Sequence, residues 1–479
     1  MIIDSNALNN IENELIIGLA GGLGVDFNLV ADKLADYLGK AGYHVEVLRI
    51  SIDFKHYDAA SNFQACYWKM QYGTKQRQIN GRDYWAKTVV AKIFNMRPEL
   101  SKKHNKIAYI VRSLKNKEEL KLLSNIYGRN FIAVSIFSDL EASIKFLEKK
   151  LKPGKLKIAD AENQMQQINS ALQLGSDIAI EQIEEVFLDD SDDQDKATEQ
   201  QKIIKFLIRK DQAETHPELT VYGQNLFKCY SNANYFVYQN KNLERQLQRF
   251  INLLFNDPFA EPTAEEYFMF CAQAEAYRSL DLDRQVGAVI VNDDNEIVAS
   301  GFNDVSKVGG GHFAHHDHPM HEQADKEIDY RDFKHKQDYN HTYLDQIAKK
   351  IAHKLGLGTK DQLMLREEIT GITEFKRSTH AEMSALLDAS LRGAAVKNCT
   401  IYVNFYPCHN CTKHLIAAGI KKIIFVHPYT KSKASDMYSG MIKHGLFIDE
   451  KSRPEVVIFE PFLGVSPNRF MSAFTNDKD

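Results

Sequence analysis

The run Pro407-Cys408-His409-Asn410-Cys411 constrains this chain more than any other segment. It follows an apolar, β-rich stretch from Thr400 to Phe405 and opens a helical stretch from Cys408 to Ala418. Two cysteines three residues apart at a helix start fall on one face and can share a metal. The positive end of the helix dipole favours their thiolate forms. Pro407 suits the first turn, where its missing N–H costs little. A chain carrying this unit needs a fold that brings a further ligand to it from elsewhere.

Thr379-His380-Ala381-Glu382, at the start of another helix predicted over Ala381 to Leu391, supplies that ligand in His380. Three protein ligands leave one zinc position open, the arrangement of a catalytic rather than a closed structural site. Glu382 then has a separate task. A carboxylate beside zinc-activated water takes its proton and passes it to a substrate ring and to a leaving amine. A structural zinc knot would want a fourth cysteine or histidine. Cys399 is near in sequence, but it precedes a strand and points elsewhere.

Six cysteines in 479 residues make no disulfide framework. No run of about 18 apolar residues appears, and MIIDSNALNN lacks a basic segment followed by an apolar one. The expectation is a cytoplasmic protein that does not enter a membrane. The formal net charge of −4 argues against a surface built for long nucleic acid.

At about 100–200 residues per domain, the length predicts two or three domains. Strand Leu15 to Gly18, a glycine-rich turn, helix Asn28 to Lys40 and strand His44 to Ile50 open a parallel α/β domain. Strands at Lys106 to Val111 and Asn130 to Phe137, with a helix between them, extend it to a three-layer sandwich. The prolines of NDPFAEPT, Asn256 to Thr263, mark a boundary near residue 250. The domains expected are therefore 1–250 and 251–479. In the second, helix Ala264 to Leu280 precedes a hairpin of Val286 to Val291 with Ile297 to Gly301, and a polar, His-rich insertion spans about 304–376. Strands Lys422 to Val426 and Glu455 to Phe459 complete it. The acidic stretch Glu181 to Asp195 reads as a solvated loop.

H-x-E together with P-C-x-x-C resembles the signature of zinc nucleobase deaminases, in which water adds at C4 of cytosine and ammonia leaves. RQVGAVIV (Arg284 to Val291), SGFND (Ser300 to Asp304) and YPCHNCTKHLIAAGIKKIIFV (Tyr406 to Val426) resemble the cytidine and deoxycytidylate deaminase superfamily. HPYTKSKASDMY (His427 to Tyr438) and FEPFLGVSPNRF (Phe459 to Phe470) look like a narrower group. That group fuses a P-loop kinase-like α/β domain to a deoxycytidylate deaminase-type α/β/α domain and includes bacterial anti-phage dCTP deaminases. The resemblance implies conversion of dCTP and dCMP to dUTP and dUMP, depletion of deoxycytidine nucleotides during phage infection, self-association into a homo-oligomer, and a trigger that the sequence does not identify. It assigns Asn303 and Ala381 to substrate contact, Asn303 at the deoxyribose hydroxyl. Lys431, Ser432 and Lys433, and also Arg469, are the candidates for phosphate.

The turn Gly18 to Asp26 stands in P-loop context, with Gly18, Gly21, Gly22 and Gly24 as candidate nucleotide-binding positions. It departs from G-x-x-x-x-G-K-[ST], because Val25 stands where the phosphate lysine belongs and Asp26 where the magnesium hydroxyl belongs. A nucleotide-sensing or structural domain is expected, not a working kinase. Tyr67, Trp68, Tyr72, Tyr84 and Trp85, with Arg77 and Arg82, read as packing, with a base pocket as the alternative. His312, His315, His316, His318 and His321 raise a second zinc, but the neighbouring glycines favour a loop that closes over the nucleotide. Two rivals remain: a polynucleotide cytidine deaminase that extrudes its base, and a nucleotide-sensing regulator with a deaminase output.

Overall fold

The computed structural model describes residues 13–50, 62–150, 199–212, 222, 226–230, 232–255, 257, 259–313, 330–369, 372, 374–428, 432–446 and 456–475. Lys431, the acidic stretch 181–195, His315, His316, His318 and His321 lie outside these residues, as do the side chains of Tyr67 and Trp68. The chain divides into two units, 1–261 with 463–479, and 262–462. The first division therefore falls at Glu261/Pro262 rather than near residue 250. The reason is the helix Leu243–Leu254, whose Leu247, Phe250 and Ile251 belong to the first unit's core. The terminal residues also return to that unit, where Gly464–Val465 pairs antiparallel with Tyr235 and Phe236.

The first unit is built on strands β1 (Glu14–Gly21), β2 (His44–Arg49), β3 (Ile107–Leu114), β4 (Phe131–Phe137) and β5 (Tyr235–Tyr238). They lie parallel in the order β5-β4-β1-β3-β2, with the terminal strand on the β5 edge. Successive residues of β1 point to opposite faces. Leu15, Ile17 and Leu19 meet the helices Phe27–Lys40 and Leu243–Leu254. Ile16 and Ala20 join the other core with Val89, Ile93, Leu120 and Leu123, from the helices Tyr84–Lys103 and Lys117–Tyr127. Both faces are covered, which is why the strands read as continuous apolar runs.

The second unit has its own six-stranded sheet. Strands β6 (Gly287–Val291) and β7 (Ile297–Phe302) form the expected hairpin. The short strands β8 (Asp304–Val305) and β9 (Ser378–Thr379) pair with each other alone. Then follow β10 (Thr400–Phe405), β11 (Lys422–His427), β12 (Ile442–His444) and β13 (Val457–Pro461). The sheet order is β12-β13-β11-β10-β6-β7, parallel from β12 to β10 and antiparallel beyond. One face packs on the helix Ala381–Arg392 through Ala288, Ile290, Ala381 and Ala385. The other meets the helix Ala264–Ala276, where Phe268 packs on Tyr402 at 5.4 Å.

Gly301 shows how closely the helix carrying Glu382 is seated. A Cβ there would lie 2.4 Å from the Ala385 nitrogen and 2.8 Å from the Ala381 oxygen. Both obstacles are backbone, so neither can swing aside. Gly301→Ala is therefore expected to cost about 1–3 kcal/mol in urea unfolding and to weaken zinc binding, because the helix must move away from β7. Unchanged stability would mean that the helix seat is softer than this contact implies.

Candidate metal centre and its cleft

Two helix starts converge on one point. His380 is the N-cap of Ala381–Arg392, and Cys408 is the N-cap of the helix His409–Ala417. Cys411 lies one turn in, its backbone N–H donating to the Cys408 sulfur at 3.4 Å. His380 Nδ1 stands 3.4 Å from each sulfur. The three donor atoms all fall within 4.8 Å of one another. Zinc bonds of about 2.0–2.3 Å at tetrahedral angles place donors roughly 3.5 Å apart, so the triad fits a zinc ion without rearrangement. Among the described residues it is the one such group of metal-binding side chains.

The two thiols shift in opposite directions. Cys411, then His380, pulls Cys408 down against the effect of burial, while Cys408 and burial push Cys411 up. His380 is raised, first by its hydrogen bond to Cys408. Glu382 is 5% exposed. Burial pushes its carboxyl up, and the negative charge of Cys408 adds to that. It lines the same cleft as His380 and Cys408, beside the triad and without being needed as a ligand.

A cleft opens beside these residues. Its walls include His380, Ala381, Glu382, Cys408, Asn303 and Tyr406. Asn303 is placed there by firm local bonds. Its Oδ1 accepts from Val286 N at 2.6 Å, and its Nδ2 donates to Arg284 O at 2.8 Å. This amide thus fixes the segment that leads into β6, a role the sequence reading did not assign. An amide oxygen has two lone pairs and its nitrogen two hydrogens, so capacity for one further bond of each kind remains. Ala381 is fully buried against the sheet.

The phosphate candidates are placed differently. Ser432 Oγ donates to Pro407 O at 2.8 Å and accepts from Ala434 N, which makes it a turn-former under the cysteine loop. Lys433 is exposed, 3.9 Å from Asp436. Arg469 belongs to the first unit, where burial and Arg129 lower its guanidinium. The cations that do line the cleft are Arg284 and Lys376. Arg284 lies over the Phe405 ring at 5.2 Å, and Lys376 bonds Asp283 at 2.9 Å. Arg284 opens the RQVGAVIV stretch, three residues before β6, and was not singled out in the sequence. Lys376 ends the insertion shortly before His380, and the β8–β9 pairing, Thr379 with Asp304, fixes the segment between them beside the triad.

His312, the described member of the histidine group, takes a packing role. Its ring stacks on Phe302 at 4.0 Å, its Nε2 meets Ser384 Oγ at 2.8 Å, and burial lowers its pKa. His427 is a second partly buried histidine, 4.7 Å from the Phe405 ring. Burial, helped by Arg284, depresses it to about 4. The fold therefore holds it neutral, and its contribution is fully present above the unfolded value of about 6.5 and lost as pH falls towards 4. His427→Phe is expected to lower the pH midpoint of acid unfolding of the second unit, followed by circular dichroism. An unmoved midpoint would assign the acid transition to other groups.

The four candidate glycines of the first unit lie close to neighbouring chain, and Gly22 and Gly24 also border a cavity. Gly18 lies inside β1, which runs on to Gly21, and a Cβ there would meet Leu114 at 2.6 Å. At Gly24, with φ +102°, it would meet Ser143 at 2.4 Å. Gly21 is close to Phe27 and Ile136, and Gly22 to Leu226. The amides of the turn are also occupied. Leu23 N donates to Asp211 at 2.6 Å and Asp26 N to Gln239 at 2.7 Å. Asp26 itself caps the following helix, accepting from Asn28 and Leu29. A phosphate would have to displace carboxylates that already hold the positive end of that helix.

Residues 262–427 match the family model of the cytidine and deoxycytidylate deaminase zinc-binding region. A deoxycytidylate deaminase of Mus musculus is 29% identical over 161 residues, 34% of this chain and 63% of that protein. The deoxycytidylate deaminase of Enterobacteria phage T4 is 33% identical over 82 residues, 16% of this chain and 42% of that one. The chain thus spans less than two thirds of the length of these curated relatives. The structure of the cyanophage S-TIM5 dCMP deaminase in apo form aligns at 16% identity and a TM-score of 0.23, over 42% of this chain and 98% of that one. No described helix is long and apolar enough to cross a membrane. What the family model and the curated relatives share with this chain lies in the second unit, which carries a cytidine and deoxycytidylate deaminase-type domain with that family's zinc-binding region.

Proposed function

We propose that this protein is a zinc-dependent hydrolytic deaminase of deoxycytidine nucleotides, converting dCMP and dCTP to dUMP and dUTP with release of ammonia. The observation that carries the reading is the convergence of His380, Cys408 and Cys411, with donor atoms within 4.8 Å of one another, and the buried carboxylate of Glu382 in the wall of the same cleft. Zinc, when bound there, supplies Lewis acidity towards the water that adds to the ring. Glu382 takes one proton from that water and delivers it to the ring nitrogen; it then takes the second proton from the hydroxyl now on the ring carbon and delivers it to the departing amine, in a buried site that favours its protonated form in between. Asn303 offers its remaining donor and acceptor to the sugar. Arg284 and Lys376 stand at the cleft for the phosphates, in place of the lysines after β11.

The parallel sheet with a glycine-rich turn after β1 supports a P-loop kinase-like reading of the first unit, stripped of its phosphate lysine at Val25. The same reading makes depletion of deoxycytidine nucleotides in phage-infected cells the biological role, with self-association and an external trigger as its accompaniments. The test is ammonia release from dCTP, dCMP, CTP, cytidine and single-stranded DNA offered separately, with Glu382→Gln as control. Turnover of deoxycytidine nucleotides alone supports the proposal. Turnover of DNA alone would move the protein to the polynucleotide editors. Arg284→Ala should raise KM for dCMP about tenfold or more and leave deoxycytidine unaffected, since one charge-assisted contact is removed.

A further inference from the structure

A cavity of about 580 Å³ lies at the carboxyl ends of β1, β2 and β3 in the first unit, lined among others by Arg49, Lys69, Arg77 and Arg112. In an open parallel sheet this end is where ligands bind, and the volume is that of a small-molecule site. The cations are arranged at a cost. Arg49 and Arg112 are register partners on β2 and β3, and like charges directly opposite are destabilising. Burial and Arg49 together lower the Arg112 guanidinium. Arg77 is 3% exposed. Its Nε donates to the buried Glu119 at 2.7 Å, while its Nη1, like Nε of Arg112, has no hydrogen-bond partner. A buried donor left unmade costs about 1–3 kcal/mol. Donors without partners and a paired positive charge in one cavity are relieved by the same thing, an anion. The rings of Tyr72 and Trp85 line the same space, 6.3 Å apart and tilted 52° to each other, an aromatic corner beside the charges.

We propose that the first unit binds a nucleoside phosphate in this cavity, its phosphates on Arg49, Arg77 and Arg112 and its base against Tyr72 and Trp85, without using the amides of the glycine-rich turn. Gly22 to Val25 of the turn also border the cavity, but the Leu23 and Asp26 amides are held by Asp211 and Gln239, the Val25 amide by Gly22 O and the helix start by Asp26, so the anion is taken by guanidinium groups instead. Lys115, which bonds Gly21 O and Asp211, belongs to that internal closure. The proposal is independent of the deaminase reading, because every residue named lies in the other unit.

Equilibrium dialysis of the full chain against ATP, GTP and dTTP, none of which carries cytosine, tests it, with inorganic tripolyphosphate and thymidine as comparisons. At least one of the three nucleotides should bind, one per chain. Arg49→Gln and Arg112→Gln should each weaken that binding about tenfold or more; Arg49→Gln should not lower the unfolding temperature of the free protein, since it removes a repulsion, whereas Arg112→Gln also loses the bond to Asn28 Oδ1. Arg77→Gln should weaken binding too, but it also breaks the Glu119 pair, so the two better-exposed arginines decide. Binding by none of the nucleotides would overturn the proposal, as would affinities untouched by Arg49→Gln and Arg112→Gln. Tripolyphosphate binding as tightly as any nucleotide would overturn the nucleoside assignment. Ammonia release from dCMP by the same variants reports on the deaminase separately.

Discussion

Glu382→Gln is expected to cut turnover of deoxycytidine nucleotides by about 10²–10⁴-fold while the protein keeps its zinc and its unfolding midpoint. The glutamine has the shape of the glutamate, but it cannot accept and release a proton in this range. Glu382 sits in the first turn of its helix, 5% exposed, in the wall of the cleft. Its removal therefore takes away the proton carrier and none of the three ligands. Ammonia release and metal analysis on the same sample separate the outcomes. Wild-type turnover would eliminate Glu382 as the proton carrier. Loss of zinc would make it a ligand, and the open position argued for the metal would disappear.

Cys408→Ala should lose zinc and turnover together, its metal affinity falling by more than about 100-fold. Even outer-shell partners of a ligand cost about 10–100-fold, and here a ligand atom itself is removed. The substitution has a second effect that a companion variant isolates. Cys408 is also the cap of the helix His409–Ala417, its sulfur accepting from Cys411 N. Cys408→Ser restores an oxygen cap, which should recover about 1 kcal/mol of stability relative to alanine, yet should not recover tight zinc binding, because a soft thiolate is replaced by a neutral hydroxyl. Equal zinc affinity in the serine variant and the wild type would show that this position caps the helix and does not ligate.

Most of the metal centre was legible in the sequence because its parts are local. H-x-E and P-C-x-x-C each occupy one helix start, and helix geometry alone fixes which side chains share a face. The hairpin β6–β7 and the strands β1, β3, β4, β10 and β11 were legible for a related reason, since buried parallel or central strands are short apolar runs between turn signals. The sequence did not show β5, whose four residues YFVY follow a polar loop, nor the two-residue strand that returns to it from Gly464 and Val465. Pairing over more than 200 residues of chain leaves no local pattern.

What the sequence by itself determined is the chemistry of the second unit: which atoms can hold a metal and which carboxylate stands beside them. What only the tertiary structure decided is what surrounds that chemistry. The β8–β9 pairing fixes the segment between Lys376 and His380 beside the triad, while Ser432 is spent on a turn. In the first unit, Gly18 lies against Leu114 inside β1, Gly24 of the turn lies against Ser143, and Asp211 and Gln239 take the amides of Leu23 and Asp26. A glycine is compatible with close approach by anything, and an aspartate can bond any nearby amide. Their partners are set by strands and helices that meet only in the folded chain.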